Sequence, residues 1–261
     1  MNLENTQDNF NLKLSDTDWA KKYIRDSFEK LSFSLSDLQI ELFLTYYRLL
    51  VEKNRVMNLT AITKFEDVVQ KHFIDSALVC KSDCDQLHLN PFTGRLIDVG
   101  SGAGFPGIPL KILFPELEVV LLDSLNKRVL FLNEVIHTLG LTGITAVHGR
   151  AEEAAFDSSY REGFDYCVSR AVASLSSLSE YCLPFVKRGG IFIAYKSAGI
   201  DQECQEAKKA VFLLGGDTES VKTAKIPDTD IERLFVFIRK NRGTPAKYPR
   251  KAGTPTKNPL S

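Results

Sequence analysis

The chain has 261 residues, enough for one large domain with appendages, and its 44% hydrophobic and 25% charged residues are typical of a globular protein. No apolar run reaches membrane-spanning length and the first residues are too polar for a signal peptide, so we expect a cytoplasmic protein. Five cysteines without a Cys-x-x-Cys pair predict free thiols rather than disulfides or a metal site. The formal net charge is zero, but it is unevenly distributed along the chain.

The first third of the chain has a helical pattern. Amphipathic helices are predicted over residues 17–31 and 36–56, and a third over residues 66–80. His72 lies beside the apolar face of the third helix, a position more typical of an interior histidine than of a catalytic group. We expect residues 1–90 to form a helical region packed on the core of the next domain.

From residue 91 to residue 240 strands and helices alternate. This alternation predicts right-handed βαβ units and a parallel sheet with helices on both faces. The last two strands are joined by only six residues and are predicted to form a hairpin, so one strand runs against the others. Strands are predicted at 95–99, 117–122, 144–148, 164–168, 190–195, 219–225 and 232–239, and helices at 106–114, 125–139, 174–187 and 200–213. This pattern predicts a Rossmann-like class I methyltransferase fold with a seven-stranded, mostly parallel sheet.

A glycine-rich loop follows the first strand and predicts a site for a nucleotide-like cofactor. Closely spaced glycines let the backbone turn tightly and present bare N–H groups to a ligand. Read from Gly102, the loop fits the dinucleotide motif GxGxxG. Read from Asp98, it fits D-x-G-x-G-x-G, with Gly100, Gly102 and Gly104.

The acid at the start of the loop favours the second register. A carboxylate repels a pyrophosphate but attracts a ligand with a positive amine, such as S-adenosylmethionine. Pro106, where the first helical turn begins, also places the tight loop at Gly100 to Gly104. Asp123 ends the second strand, where it can accept both hydroxyls of an adenosine ribose or cap the next helix.

Basic residues follow three later strands. Arg150, Arg170 and Lys196 come after the third, fourth and fifth strands. Because ligands bind at the carboxyl ends of parallel strands, we expect an acidic half that holds the cofactor and a basic half that receives an anionic acceptor.

The residues after the fourth strand restrict the chemistry. This position lacks the Asn/Asp-Pro-Pro-aromatic run of enzymes that methylate exocyclic amines, and the chain has no Pro-Cys nucleophile for a pyrimidine carbon. A ring nitrogen with its own lone pair needs neither, so alignment and electrostatics would suffice. An oxidoreductase and a non-catalytic RNA-binding module remain as alternatives.

The end of the chain is basic. Seven basic residues and no acid lie between Arg239 and Ser261, which leaves a net charge of −7 on the remainder. Such a tail suits a polyanionic partner, but its Pro, Gly and Thr content also fits a solvated, disordered terminus. We expect residues 241–261 to be a flexible basic tail.

Several segments together resemble one known family. IDVGSGAGFPGIPLKI, LLDSLNKRVLFL, GRAEE and SRAVASL, with NLT and HFIDS upstream, are similar to the bacterial 16S rRNA guanine-N7 methyltransferases, the RsmG/GidB family. The tail is similar to the extension of Gram-positive members. The resemblance implies methyl transfer from S-adenosylmethionine to N7 of one guanine in 16S rRNA, with cofactor contacts at Gly100, Phe105, Ala151, Glu152 and Arg170.

Three groups of site residues are predicted. Arg170, Arg150 and Lys196 are expected to position and stabilise the reacting groups without a general base. The cofactor residues are expected to be Asp98, Gly100, Gly102, Gly104, Phe105, Asp123, Ala151, Glu152 and Arg170. The RNA-contacting residues are expected to be Asn58, Thr60, His72, Asp75, Lys127, Arg128, Arg250 and Lys251. We expect a monomer that binds the small ribosomal subunit and needs neither metal nor membrane.

Overall fold

A seven-stranded sheet forms the centre of the protein. The computed structural model describes residues 14–81, 92–170, 173–197 and 199–260. The strands are β1 (Arg95–Val99), β2 (Glu118–Asp123), β3 (Ile144–His148), β4 (Phe164–Ser169), β5 (Val186–Ser197), β6 (Gly216–Lys225) and β7 (Glu232–Lys240). Their order across the sheet is β3-β2-β1-β4-β5-β7-β6.

The direction of the strands confirms the predicted sheet. Strands β1 to β5 pair in parallel, whereas β7 pairs antiparallel with both β5 and β6. The chain begins the sheet at β1, moves outward to β3, and returns to the other side of β1 with β4. This reversal opens a crevice at the carboxyl ends of the strands, where ligands of such sheets bind.

Helices cover both faces of the sheet. They are α1 (Leu14–Glu29), α2 (Asp37–Met57), α3 (Phe65–Val68), α4 (Asp75–Ala77), α5 (Gly107–Leu113), α6 (Asn126–Thr138), α7 (Ala151–Ala154), α8 (Leu175–Cys182), α9 (Asp201–Leu213) and α10 (Thr254–Lys257). A π-helical stretch, Val69–Ile74, joins α3 to α4, so Phe65 to Cys80 runs as one nearly continuous helical segment. Within the described ranges, no helix is both long and apolar enough to cross a membrane.

Strand residues alternate between two hydrophobic clusters. In β7, Phe235 and Phe237 join one cluster, while Val236 and Ile238 join the other. The first cluster also contains the apolar faces of α1, α2, α5 and α6, and the second contains those of α8 and α9. Side chains of a strand point alternately to opposite faces, so this alternation is what a sheet covered on both sides requires.

The N-terminal helices are placed by local signals. Ser36 and Gln39 form a capping box at the start of α2, and Asn58 ends this helix in the left-handed conformation. The helical segment then shares its hydrophobic cluster with the sheet, so residues 14–81 pack directly on the domain that begins at β1.

Two expectations about secondary structure differ from the structure. The helix expected over residues 174–187 ends at Cys182, because a 3₁₀ turn containing Pro184 follows and β5 begins at Val186. The tail expected to be flexible is packed instead: Thr244, Tyr248 and Pro255 are buried against the sheet domain.

Candidate active site

The glycines of the loop after β1 fall into two pairs. A Cβ on Gly100 would meet nothing within 4 Å, and one on Gly102 would only approach the Gly100 carbonyl, at 3.9 Å. A Cβ on Gly104 would lie 2.5 Å from the Ile108 side chain, and one on Gly107 would clash with Leu121 and Asp98. The first pair therefore leaves space for a ligand, and the second allows the loop and α5 to pack closely.

Asp98 lies beneath this loop. Its side chain is fully buried, and its Oδ2 accepts a hydrogen bond of 2.9 Å from the Gly107 amide. Burial raises the pKa of this carboxyl to about 7, against the opposing effects of the Gly107 hydrogen bond and Arg170. Oδ1 has no hydrogen-bond partner among the described residues. Asp98 therefore holds the loop through one oxygen and leaves the other for a donor.

Asp123 connects the loop to the end of β2. Its Oδ2 accepts from the Gly102 amide and its Oδ1 from the Leu125 amide, each at 2.9 Å. The contact with Leu125 precedes α6 and is not a side-chain cap of that helix, whose N-cap is Leu125 itself, so the ribose role of Asp123 stays a prediction. A carboxylate oxygen has two lone pairs, so each oxygen can accept a further bond from a hydroxyl.

A cavity of about 220 Å³ opens beside the loop at the ends of β1 to β4. Half of its lining residues are small, Gly100 and Ala151 among them, and the charged residues Arg150 and Glu152 lie beside them. Leu178 and Tyr181 of α8 form another side. We call this space the cofactor cavity.

A second cavity lies beyond the end of β4. Ser169 lines the cofactor cavity, and the next residue, Arg170, lines a space of about 490 Å³. Ala173 also lines the first cavity, while its carbonyl accepts a hydrogen bond from Lys196 of the second. Ser169, Arg170 and Ala173 therefore lie between two adjacent spaces, and we call the second one the acceptor cavity.

The acceptor cavity is built around one buried carboxylate. Asp75 is completely buried, and its two oxygens accept from Arg170, at 2.8 Å, and from the Nε of Arg233, at 2.6 Å. One carboxylate thus holds two guanidinium groups, which leaves an excess of positive charge. This arrangement suits an anionic ligand.

His72 forms the boundary of this cavity with the glycine loop. Its ring stacks on Phe105 at 4.5 Å, and its Nε2 lies 2.9 Å from the Thr60 hydroxyl. Burial, followed by the nearby charge of Arg170, lowers the pKa of His72 to about 3. The imidazole is therefore neutral near pH 7, in agreement with the interior role expected for it.

The three basic residues expected in one half of the crevice are separated. Arg170 and Lys196 line the acceptor cavity, where Lys196 donates to Glu203 at 2.6 Å. Arg150 instead lines the cofactor cavity and contacts Glu152 at 3.2 Å. The expected place of Arg150 in the basic half was wrong, because the strand before Arg150, β3, lies at the sheet edge beyond β2 and β1.

The remaining residues expected to contact RNA have varied surroundings. Asn58 is exposed at the end of α2, and Lys127 is exposed at the start of α6. Arg128 lies 3.4 Å from Asp123. Lys251 is exposed, whereas Arg250 is not available as a free cation: its guanidinium holds the buried carboxylate of Glu180.

Sequence reasoning missed several residues of the acceptor cavity, among them the charged residues Lys71, Glu203 and Arg233. Arg233 stands near the start of β7, opposite Ser197 of β5. The predicted hairpin was the only feature of the sequence that could have indicated Arg233. The first residues of an antiparallel strand lie beside the carboxyl ends of the parallel strands, where the site is.

The residues around the cofactor cavity fit S-adenosylmethionine. Open space over Gly100 and Gly102 leaves room for a ligand against the backbone. The unpartnered oxygen of Asp98 and the remaining lone pairs of Asp123 match an amine and two ribose hydroxyls.

Comparison with known proteins gives one family. The model of the GidB family, described as rRNA small subunit methyltransferase G, matches residues 39–232. The ribosomal RNA small subunit methyltransferase G of Lachnoclostridium phytofermentans is 53% identical over 231 residues, which cover 88% of this chain and 93% of the relative. That of Acetivibrio thermocellus is 51% identical over 241 residues, covering 92% and 97%.

Among solved structures, MtNAS in complex with MTA and tNA is similar, with a TM-score of 0.51, 15% identity and 88% coverage of both chains. At this identity the likeness concerns the fold alone. The fold, the glycine loop with its two cavities and the match over residues 39–232 lead to one conclusion: the chain belongs to the GidB family of rRNA small subunit methyltransferases.

Proposed function

We propose that this protein transfers the methyl group of S-adenosylmethionine to N7 of a guanine in the 16S rRNA of the small ribosomal subunit. The observation that carries the proposal is the pair of cavities on either side of Ser169 and Arg170. One has the glycine loop and carboxylates that suit the methyl donor, and the other has the guanidinium groups that suit an RNA segment. Family membership supports the same activity.

S-adenosylmethionine supplies a methyl group that its sulfonium activates. Guanine N7 has a lone pair of its own, so no residue has to remove a proton from it. The protein's contribution is alignment and electrostatic stabilisation. The side chains of the acceptor cavity agree with this role, because His72 is neutral and Asp75 and Glu203 are each held by cations.

Contacts of Arg170 support a role at both cavities, although its side chain lines only the acceptor cavity. Arg170 follows Ser169 of the cofactor cavity, lies over the Phe105 ring at 5.1 Å and binds Asp75. We propose that Arg170 fixes the relative position of the methyl donor and the guanine, and that Lys196 adds positive charge for the RNA.

The test is mass spectrometry of rRNA. Small subunits that lack the modification are incubated with the protein and S-adenosylmethionine, and their 16S rRNA is digested and analysed. We expect one new 7-methylguanine with the unmodified protein and at least about a hundredfold slower formation with Arg170→Ala, since positioning terms are worth several kcal/mol. Absence of methylation together with tight NAD binding would indicate an oxidoreductase instead.

We further propose that the protein acts in the cytoplasm as a monomer and without a metal ion. The direct attack of a ring nitrogen needs no Lewis acid. Methylation that survives EDTA, and a sedimentation mass equal to that of one chain, are the expected results.

A further inference from the structure

The C-terminal segment is anchored along its length. The Thr244 amide donates to Glu162, and the Thr244 hydroxyl donates to the Leu214 carbonyl. Arg161 donates to the carbonyls of Thr244 and Tyr248. These contacts carry the chain from the end of β7 toward α8.

Arg250 makes the strongest of the later contacts. Its Nε and Nη2 bind the Glu180 carboxylate, the shortest bond being 2.6 Å, and its backbone amide donates to the same carboxylate at 2.7 Å. Glu180 is fully buried, so these paired guanidinium hydrogen bonds neutralise a charge that is shielded from solvent. Arg250 therefore joins the tail firmly to α8.

Beyond Arg250 the tail reaches the wall of the cofactor cavity. The Gly253 amide donates to Oε1 of Glu152 at 2.8 Å. The Thr256 hydroxyl lies 2.7 Å from the Tyr181 hydroxyl. Both Glu152 and Tyr181 line the cavity, so the tail touches two of its walls.

We propose that residues 250–256 position the cofactor site: Arg250 docks the segment on α8, and the docked backbone fixes the Glu152 carboxylate at the cavity. The inference rests on the proposed function in that the ligand of this cavity is S-adenosylmethionine. Glu152 is only 5% exposed, and its Oε1 accepts from the Gly253 amide at 2.8 Å and from Arg150 at 3.2 Å. Undocking of the tail would therefore remove the shorter of these two contacts from a carboxylate that water reaches poorly. Arg250 is thus a positioning residue rather than a contact for RNA.

The experiment compares Arg250→Gln with Lys257→Gln. Each removes one positive charge from the same tail, but the Lys257 side chain is exposed. Calorimetric titration with S-adenosylhomocysteine, without RNA, gives the cofactor affinity of each full-length variant. We expect a Kd about tenfold higher for Arg250→Gln, within the range for residues coupled through one network, and a change of less than about twofold for Lys257→Gln.

Arg250→Lys, which keeps the charge but not the paired hydrogen bonds, should give an intermediate Kd. Equal affinities for Arg250→Gln and the unmodified chain would overturn the inference while leaving the proposed function intact. Failure of the unmodified chain to bind would instead count against the proposed function. Circular dichroism shows that each variant is folded under the titration conditions.

A second measurement needs no substitution, in case Arg250→Gln does not fold. Coupling between sites is reciprocal, so saturation with S-adenosylhomocysteine must stabilise the docked tail. Hydrogen exchange should become slower by about the same factor at the amides of Gly253 and of α10. Unchanged exchange there on saturation would overturn the proposal.

Discussion

The two cavities differ in how the chain builds them. The cofactor cavity is lined mainly by residues at or just after the ends of β1 to β4, with Gly100 of the glycine loop among them. The acceptor cavity combines residues far apart in sequence, such as Asp75, Arg170 and Arg233. Backbone conformation thus shapes the first cavity, while the second depends on long-range ion pairs.

The difference also appears in the electrostatics. At the cofactor cavity the carboxylates of Asp123 and Glu152 each accept from backbone amides at 2.8–2.9 Å, and each has only one longer contact to an arginine, at 3.4 Å and 3.2 Å. In the acceptor cavity the Asp75 carboxylate is held by two guanidinium groups. The contrast shows how the carboxyl ends of one sheet can offer neighbouring sites for a cationic methyl donor and an anionic acceptor.

We expect the largest effect from a substitution that blocks the cofactor cavity and leaves the acceptor cavity unchanged. Gly100→Val places a side chain in the open space of the crevice, so we expect cofactor affinity to fall by about a hundredfold or more, about 2.8 kcal/mol. Calorimetry with S-adenosylhomocysteine measures it. Gly140→Val is the matched control, because Gly140 also has a positive φ and open space at its Cβ position. Equal losses for both variants would show that only backbone strain was measured.

Arg233→Gln tests the acceptor cavity separately from the cofactor cavity. This change removes one of the two cations on Asp75, so we expect kcat/KM for rRNA to fall by roughly tenfold, the scale of one charge-assisted contact. The Kd for S-adenosylhomocysteine should not change. Arg239→Gln, at the other end of β7 and paired with Glu219, is the control. A rise in the cofactor Kd for Arg233→Gln would contradict the separation of the two cavities.

The buried Asp98 predicts a dependence of stability on pH. With a pKa of about 7 in the folded state and a lower one when unfolded, the native state binds more protons between these values. The free energy of unfolding therefore falls as the pH rises from about 4 to about 7.

Asp98→Asn keeps an acceptor for the Gly107 amide and removes the ionisation. Its effect on the free energy of unfolding should be more favourable at pH 8 than at pH 4 by up to about 4 kcal/mol, the value of a pKa shift of about three units. Urea titrations at both pH values measure this difference. Parallel pH profiles for the two proteins would show that Asp98 does not titrate in this range.

The smallest effect is expected from the exposed lysines of the tail. The triple substitution of Lys247, Lys251 and Lys257 by Gln leaves the Arg250 anchor in place. If these lysines meet phosphates, the slope of log affinity for rRNA against log salt becomes shallower by about 2, and the cofactor Kd stays the same. An unchanged slope would mean that these charges face only solvent.

Much of the fold was predictable because its signals are local. Six strands and the helices α1, α2, α5, α6 and α9 lie within about three residues of the bounds expected from hydrophobic periodicity. The hairpin of β6 and β7 followed from its short connection. The short α7 and α10 were not predicted, because four residues give no periodic pattern.

The sequence by itself determined the loop that we propose to hold the methyl donor: Asp98, the glycines and Asp123 are close along the chain, and their spacing limits where the backbone can bind a ligand. Only the tertiary structure decided the rest. It separated Arg150 from Arg170, because the chain adds β2 and β3 on one side of β1 and β4 on the other. It also brought Arg233 to Asp75 through the antiparallel strand β7. It also turned the expected basic arm into a docked segment, since the partner of Arg250 is a carboxylate 70 residues away. Contacts of that range depend on the folded sheet, and no local pattern encodes them.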